Sequence, residues 1–456
     1  MSYLSINPWS GTRQAFPYQN AHDVDLALEQ AQVAATGWAL LSYCERGRYF
    51  HRLAEVLRKH QHKLAAMMTA EMGKRETEAV AEIIKSADAC DYYAIKAEQL
   101  LADEIIQTDY EKSYVHYQPL GCVLGIMPWN FPVWQVMRFI APTMMAGNVC
   151  LLKHAENVPQ SAMLLQELIN LAEFPPGTFQ NLLIDNATTA NLIADERCAG
   201  VSLTGSEQAG RSVAATAGKH LKKTVMELGG SDPFIVLADA NLEKAITTAV
   251  KSRFLNAGQV CIAAKRFIVV DSIADTFVHR LTHACRELQC GDPAAAQTRL
   301  APMAREDLAS KLEQQVAVSV ELGAQLLCGG KARPTPHGLH TLFPATILDK
   351  VAPGMPAFYQ ELFGPVVSII RVANASEAIE LANNSSFGLG ASVWTSDEEK
   401  AIEMAEQLQA GSVFINSLVA SDMRLPFGGV KQSGFGRELA GLGIREFTNA
   451  KTIVLN

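Results

Sequence analysis

The sequence predicts an α/β fold with two doubly wound parallel sheets and one small additional β element. The first observation is a series of apolar runs separated by segments long enough for one helix each. The runs lie at 122–127, 149–153, 179–184, 200–203 and 223–228, and the helical segments at 133–145, 159–173, 187–195 and 206–217. Continuous apolar strands that alternate with helices are typical of a parallel sheet covered on both faces. With right-handed crossovers, such a sheet is of the nucleotide-binding type.

The second observation is another alternating series further along the chain. Its apolar runs lie at 233–237, 266–270, 366–370, 391–394 and 411–415, and its helical segments at 241–256, 272–288, 305–323, 375–384 and 397–408. A chain of 456 residues is also too long for one compact core. The two series therefore predict two α/β domains.

The third observation concerns the segments outside these series. Apolar residues at helical spacing predict helices in the first hundred residues, and polar–apolar alternation at 109–120 and the apolar end at 451–456 predict exposed strands that pair outside either core. The predicted domains are a dinucleotide-binding domain at 1–108 and 121–228, a catalytic domain at 229–435, and a bridging or oligomerisation element at 109–120 and 436–456.

Composition excludes several classes of protein. A net charge of −8 argues against nucleic acid or an anionic membrane as a partner. No apolar run approaches the roughly 20 residues that span a bilayer. The nine cysteines are scattered and form no CxxC pair, which predicts reduced thiols in the cytoplasm and no metal site.

Three residues stand out as candidates for chemistry. Cys261 lies in FLNAGQVCIAAKRF among small residues, which let a ligand approach the backbone, and the alternative is a buried structural cysteine like the other eight. Glu227 ends an apolar strand, where a raised pKa suits a general base, and the alternative is a capping or salt-bridged carboxylate. Asn130 lies in a proline-bracketed turn after a strand, where its amide suits an oxyanion and the alternative is a rigid turn.

Two further segments suggest a dinucleotide. LTGSEQAG places Gly205 and Gly210 at a strand-to-helix junction, where helix N-terminal amides meet a phosphate. KHAE places Lys153 and Glu156 just past a strand, within reach of a ribose. Alone, the first motif is weak, and the second pair fits a solvated surface pair better than a ribose contact.

Together these segments resemble the aldehyde dehydrogenase superfamily, over nearly the whole chain. PWNFP, the Lys153–Glu156 segment, LTGSEQAG, MELGG, NAGQVC, ELFGP and PFGGVKQSGFGRE appear in the family's order and spacing. The resemblance implies that Cys261 attacks the aldehyde carbon and that Asn130, with the Cys261 amide, stabilises the oxyanion. It implies that hydride passes to a nicotinamide and that Glu227 activates the water that hydrolyses the thioester.

The resemblance also implies cofactor contacts. Lys153 and Glu156 would hold the adenosine ribose, Ser206 the pyrophosphate, and Glu361 and Phe363 the nicotinamide riboside. The other residues expected to line the cofactor site are Met127, Pro128, Trp129, Gly205 and Leu228. Because Glu156 would repel a 2′-phosphate, NAD is expected over NADP. One departure is NLLIDNATT (181–189), which lacks the glycine turn usual in the family.

Several points resemble bacterial NAD(P)-dependent succinate semialdehyde dehydrogenases. Arg138 and Ser421 match residues that hold the substrate carboxylate there, and Phe427 is expected to line the same pocket, although Arg138 also suits a helix brace. A second arginine of those enzymes is Leu255 here, and Arg424 is a candidate substitute.

Other readings of the function stay open. They are another aldehyde, such as glutarate semialdehyde or a neutral aliphatic or aromatic one, and a non-enzymatic binding protein. A CoA-acylating enzyme is disfavoured because that branch generally lacks the glutamate present here as Glu227. The exposed strands resemble the family's oligomerisation elements, which implies a homodimer or homotetramer.

Overall fold

A computed structural model describes residues 2–456. The strands are β1 (Ser2–Ile6), β2 (Arg13–Pro17), β3 (Glu104–Ile106), β4 (Lys112–Pro119), β5 (Cys122–Met127), β6 (Val149–His154), β7 (Phe179–Asn181), β8 (Cys198–Thr204), β9 (Lys223–Glu227), β10 (Asp232–Val236), β11 (Ala264–Val270), β12 (Gln325–Cys328), β13 (Thr346–Asp349), β14 (Val366–Val372), β15 (Gly390–Trp394), β16 (Ser412–Ile415), β17 (Gly434–Phe435) and β18 (Thr448–Leu455). The helices are α1 (Ala21–Leu40), α2 (Tyr43–Lys59), α3 (Gln61–Met72), α4 (Glu76–Leu100), α5 (Trp134–Met145), α6 (Pro159–Leu171), α7 (Asn186–Ala194), α8 (Glu207–Lys219), α9 (Leu242–Phe254), α10 (Asp271–Arg286), α11 (Glu306–Glu321), α12 (Pro356–Tyr359), α13 (Ala375–Asn383), α14 (Glu398–Gln407) and α15 (Ala440–Arg445).

The first sheet has six strands in the order β17-β9-β8-β5-β6-β7. β5 to β9 run parallel, and β17 pairs antiparallel with β9. All five predicted strands are present, but β7 ends at Asn181, earlier than the apolar run suggested. The helices between these strands pack on the sheet, which confirms the predicted parallel α/β class.

The second sheet has seven strands in the order β12-β13-β14-β11-β10-β15-β16. Its strands are parallel except for the antiparallel pair β12–β13. The five strands expected from apolar runs all belong to this sheet. β12 and β13 are four residues each, too short to stand out in the sequence.

The third sheet has the order β18-β4-β3 and lies outside both parallel sheets. β18 pairs with β4 along its whole length, from Thr448 opposite Pro119 to Leu455 opposite Lys112. β3 also joins this sheet, although the sequence placed its residues in the dinucleotide-binding domain, because three residues are too few to show alternation. The domain boundaries themselves stay a prediction.

The N-terminus differs from the expectation of helices alone. β1 and β2 form an antiparallel hairpin before α1 begins. Tyr3 is buried there and donates a hydrogen bond to the carbonyl of Ile184 at 2.9 Å. The hairpin therefore packs against the carboxyl-end side of the first sheet. Among the described residues, no helix is both long and apolar enough to cross a membrane.

Candidate active site

Cys261 follows a tightly constrained loop after α9. Asn256 and Ala257 have φ values of 51° and 53°, and Gly258 has 72°. Left-handed backbone is costly for residues with a side chain, so surrounding contacts must hold it. A Cβ on Gly258 would lie 2.5 Å from the carbonyl oxygen of Gly364, which explains the glycine. Gln259 closes the turn through its amide, which donates to the Asn256 carbonyl at 3.0 Å.

Asn130 is bonded directly to this loop. Its side-chain Nδ2 donates to the Gln259 carbonyl at 2.9 Å, and its own carbonyl accepts from Asn256 Nδ2 at 2.8 Å and Lys74 Nζ at 2.7 Å. A primary amide carries two N–H groups. One N–H of Asn130 fixes the loop two residues before Cys261. The other forms no hydrogen bond among the described residues, and its role toward an oxyanion stays a prediction.

Helix α4 fixes the start of α5 beside Asn130. Glu82 Oε1 accepts from the backbone amides of Val133 and Trp134, both at 2.9 Å. Its second oxygen forms a buried ion pair with Lys74. A carboxylate at a helix N-terminus satisfies free amides and complements the helix dipole. The turn that carries Asn130 is therefore held from two sides.

The Cys261 thiol lies in an environment that favours the protonated form. Burial raises its pKa to about 12, while Arg138 and Lys265 act in the opposite direction. Lys265 Nζ also donates to the Cys261 carbonyl at 2.6 Å and to the Val260 carbonyl at 2.9 Å. A thiol is a weak nucleophile, so Cys261 must lose its proton to attack a carbonyl carbon.

Glu227 is a buried carboxylate at the end of β9. Burial raises its pKa well above the usual range, nearby Glu438 raises it further, and Arg138 lowers it. Neither carboxylate oxygen has a hydrogen-bond partner among the described residues. A Cβ on Gly428 would lie 2.6 Å from Glu227 Oε1, so the glycine makes room for this side chain. An unpartnered buried carboxylate is typical of a functional group.

Arg138 has electrostatic influence on both Cys261 and Glu227. It is 2% exposed, forms an ion pair with Glu438 and donates to Thr204 Oγ1 at 3.1 Å. Its guanidinium also lies 4.6 Å from the centre of the Phe427 ring. The structure therefore gives Arg138 the bracing contacts that the sequence left as an alternative, and its role toward a substrate stays a prediction.

Glu361 is held next to the nucleophile loop. Its Oε1 accepts from the Gly230 amide at 3.1 Å and lies 3.4 Å from Lys265 Nζ. A Cβ on Gly229 would lie 2.5 Å from Glu361 Oε2, and one on Gly230 would lie 2.7 Å from the Cys261 carbonyl oxygen. Gly229 and Gly230 of MELGG therefore leave room for the Glu361 side chain and for the Cys261 carbonyl oxygen.

Aromatic and strand-end residues line the remaining approach to this loop. Trp129 meets Phe363 edge to face, with ring centres 5.8 Å apart. Met127 is the last residue of β5 and is 2% exposed. Pro128 follows it directly. The structure thus brings together residues predicted for the nicotinamide end, and their roles stay predictions.

The adenosine end lies at the ends of β6 and β8. Burial lowers the pKa of Lys153, while Glu156 and Asp185 raise it. Tyr3 faces the same lysine, with Nζ 5.6 Å from its ring centre. Ser206 caps α8 by accepting from the Ala209 amide at 3.3 Å.

The two predicted glycines of LTGSEQAG differ in their surroundings. A Cβ on Gly205 would meet only ordinary contacts, so close packing does not require a glycine there. A Cβ on Gly210 would lie 2.6 Å from Leu228, so that glycine allows the helix to pack on the strand end. The start of α8 after β8 and the buried Lys153 at the end of β6 fit the chemistry of a dinucleotide, and their contacts with one stay a prediction.

Arg424, the candidate substitute for the arginine absent at position 255, is paired with a neighbouring carboxylate at the surface. Arg424 has a side chain that is 73% exposed and forms a two-pronged contact with Asp422, at 2.9 and 2.6 Å. Leu255 is partly exposed, and the nearby Arg253 is fully buried and bonded to the Leu362 carbonyl. Neither arginine therefore replaces the one absent at position 255.

Sequence reasoning missed four charged or polar residues near the site: Tyr3, Lys85, Lys265 and Glu438. Tyr3 and Glu438 approach from opposite ends of the chain, which no local pattern reveals. Lys265 and Glu438 had a signal, because Lys265 lies four residues after Cys261 in the same motif and Glu438 ends the motif PFGGVKQSGFGRE. Within residues 2–456, no group of three His, Cys, Asp or Glu side chains is arranged to hold a metal ion.

Comparison with known proteins agrees with this arrangement. The sequence model of the aldehyde dehydrogenase family matches residues 2–453, and the chain belongs to that family. It is therefore an aldehyde dehydrogenase, an oxidoreductase.

Two relatives match over almost their whole length. A probable NADP⁺-dependent succinate-semialdehyde dehydrogenase of Synechocystis sp. is 48% identical, over 99% of each chain. The NADP⁺-dependent succinate-semialdehyde dehydrogenase of Mycobacterium avium is 46% identical, over 99% of this chain and 96% of that one.

A solved structure is similar over the same length. The succinic semialdehyde dehydrogenase of Streptococcus pyogenes, in complex with NADP⁺, has a TM-score of 0.97 at 39% identity and 99% coverage of both chains. The expected preference for NAD is not supported by these relatives, which are named or solved with NADP⁺. Glu156, which was expected to repel a 2′-phosphate, lies close enough to the cation Lys153 to raise its pKa, so its negative charge is not isolated.

Proposed function

We propose that the protein oxidises succinate semialdehyde to succinate with a nicotinamide dinucleotide as hydride acceptor. The observation that carries the proposal is the 48% identity to a probable succinate-semialdehyde dehydrogenase over 99% of the chain. The constrained Cys261 loop, bonded to Asn130 and influenced by Arg138, supports the same activity. When bound, the dinucleotide supplies the hydride acceptor.

The chain's own residues divide the chemistry as follows. The Cys261 sulfur bonds to the aldehyde carbon to give a thiohemiacetal, and the thiol proton passes to solvent water. The free N–H of Asn130 and the Cys261 amide bind the aldehyde oxygen. Loss of hydride converts the thiohemiacetal to a thioester. Glu227 takes a proton from water, which adds to the thioester carbon, and the thiol leaves with that proton.

We propose that the cofactor is NADP, as in the named relatives, and that Glu156 limits the preference for it. Glu156 and Asp185 both act on Lys153, so two carboxylates lie near the cation expected at the adenosine ribose. Glu156→Ser removes one negative charge there. We expect kcat/KM with NADP to rise relative to NAD by about tenfold. An unchanged ratio would contradict this role for Glu156.

The decisive experiment is a panel of aldehyde substrates, in which the rate of cofactor reduction is measured from the absorbance of the reduced cofactor. Succinate semialdehyde, glutarate semialdehyde and butanal are each tested with NAD and NADP, with and without CoA. The proposal predicts the highest kcat/KM for succinate semialdehyde, with free succinate as the product. A higher kcat/KM for butanal or glutarate semialdehyde would overturn the substrate, and acyl-CoA formation would overturn hydrolysis.

A neutral aldehyde is the second candidate substrate. Arg138 is already paired with Glu438, and Leu255 places an apolar, partly exposed side chain where related enzymes carry an arginine. Both observations favour an uncharged aldehyde, and the butanal arm of the panel tests it.

We also propose a homodimer or homotetramer in the cytoplasm. The third sheet exposes apolar side chains on its outer strand, with Ile105 at 63% and Ile106 at 47% exposure. All nine cysteines are free thiols, as reducing conditions favour. Sedimentation gives the number of subunits, and fractionation of cells gives the compartment. The domain boundaries 108/109, 120/121, 228/229 and 435/436 are likewise proposed, and limited proteolysis tests them.

A further inference from the structure

Lys85 lies beside residues that are predicted to bind the substrate. It lies on α4, and its Nζ donates to the backbone carbonyl and to Oγ of Ser421, both at 2.7 Å. The same ammonium lies 4.2 Å from the centre of the Trp134 ring. Trp134 and Arg138 are four residues apart on α5 and therefore share one face. Lys85 thus joins Ser421 to the face that carries Arg138.

The charged side chains around Lys85 already form ion pairs with other residues. Arg138 is paired with Glu438, and Asp422 holds Arg424. Glu82, one turn before Lys85 on α4, is bonded to Lys74 and to the start of α5. Within residues 2–456, no carboxylate forms an ion pair with Lys85 in the way these do.

The protonation of Lys85 reflects this imbalance. Burial and then Arg138 lower its pKa to about 8, while Asp422 and Glu82 act in the other direction. A partly buried cation without a close anionic partner is costly. An anion that binds beside it regains that cost. An ammonium also has three donors, and Ser421 takes two of them.

We propose that Lys85 is a specificity-determining residue that donates its third N–H to the carboxylate of the semialdehyde substrate. The inference rests on the proposed function, because it requires a substrate with a carboxylate at the end opposite the aldehyde. Lys85 then supplies the uncompensated positive charge that Arg138, Arg424 and Leu255 do not. Ser421 holds the ammonium in place, and the Trp134 ring supports it from one side.

A purely structural role for Lys85 makes a different prediction. If its bonds to Ser421 only anchor the 421–424 loop to α4, removing them disturbs the pocket for every aldehyde. A carboxylate contact, in contrast, affects only substrates that carry the charge. The ratio of KM values for a charged and a neutral aldehyde separates the two roles.

The test compares Lys85→Met with the matched control Lys96→Met, which removes an exposed lysine from the same helix. Each variant is measured with succinate semialdehyde and with butanal. We expect Lys85→Met to raise KM for succinate semialdehyde about tenfold or more, with KM for butanal changed less than about twofold. Lys96→Met should leave both values unchanged. An equal change for both substrates, or no change for either, overturns the proposal.

Two measurements keep the result interpretable. If Lys85→Met does not fold, as judged by circular dichroism, the same comparison of KM values is made with Lys85→Gln, because it keeps a donor toward Ser421 but loses the charge.

In the unmodified protein, succinate should inhibit butanal oxidation competitively. We expect this inhibition to be weaker at pH 9 than at pH 7. No such weakening overturns the role of Lys85. Failure of the unmodified protein to oxidise succinate semialdehyde instead overturns the proposed function.

Discussion

The buried ion pair between Arg138 and Glu438 gives the sharpest prediction about stability. Arg138 is 2% exposed and Glu438 is 5% exposed, so Arg138→Met leaves a carboxylate in the interior without its cation. Breaking a buried pair in this way costs about 3–5 kcal/mol, because the remaining charge is uncompensated. The lost contact with the Phe427 ring acts in the same direction.

A double variant tests the origin of that cost. Arg138→Met with Glu438→Leu removes both charges, so it should recover most of the stability lost by Arg138→Met alone. The matched control is Arg424→Met, which breaks an exposed pair with Asp422 and should cost less than about 1 kcal/mol.

The assay is urea denaturation monitored by fluorescence. One fixed protein concentration is used, because any association of subunits contributes to apparent stability. A loss below about 1 kcal/mol for Arg138→Met, or no recovery in the double variant, would refute the reasoning. Arg138→Met should also lower kcat for every aldehyde, because Arg138 opposes the raised pKa of both Cys261 and Glu227.

Three further predictions concern catalysis. Asn130→Ala should lower kcat about 10²–10³-fold with little change in KM, since it removes an oxyanion donor, and steady-state kinetics would contradict this if KM alone changed. Gly428→Ala places a Cβ 2.6 Å from Glu227 Oε1, so thioester hydrolysis should slow at least tenfold while labelling of Cys261 by iodoacetamide stays unchanged. Lys85 has a pKa lowered to about 8, so it is charged below that pH and neutral above it. The KM of succinate semialdehyde should therefore rise relative to that of butanal between pH 7 and pH 9, and a constant ratio speaks against the assignment.

The parallel sheets were accessible from the sequence because their strands are buried on both faces and form continuous apolar runs. The short strands β12, β13 and β17 lack that signal, because they have only two to four residues each. The N-terminal hairpin was missed because its two strands are five residues each and mostly exposed. Pattern therefore identifies strands that lie in apolar runs better than short or exposed strands.

The residues at the centre of the site were identified through motifs, but their surroundings were not. Arg138 contacts Glu438, and Lys85 contacts Ser421. The two residues of each pair are separated in the sequence by more than half of the chain. No local spacing encodes such pairs, since they depend on how β17 and the segments around it return to the first sheet. The same limit explains why Arg424 appeared available, although its neighbour Asp422 holds it.

The central claim is that Cys261 carries the acyl group and Glu227 removes it. The most direct measurement uses Glu227→Gln with succinate semialdehyde and NADP, followed by rapid quenching and mass spectrometry of the peptide that contains Cys261. The account predicts a burst of NADPH close to the enzyme concentration, slow turnover afterwards, and a succinyl group on Cys261. Steady turnover without a burst, or a peptide that carries no acyl group, would contradict it.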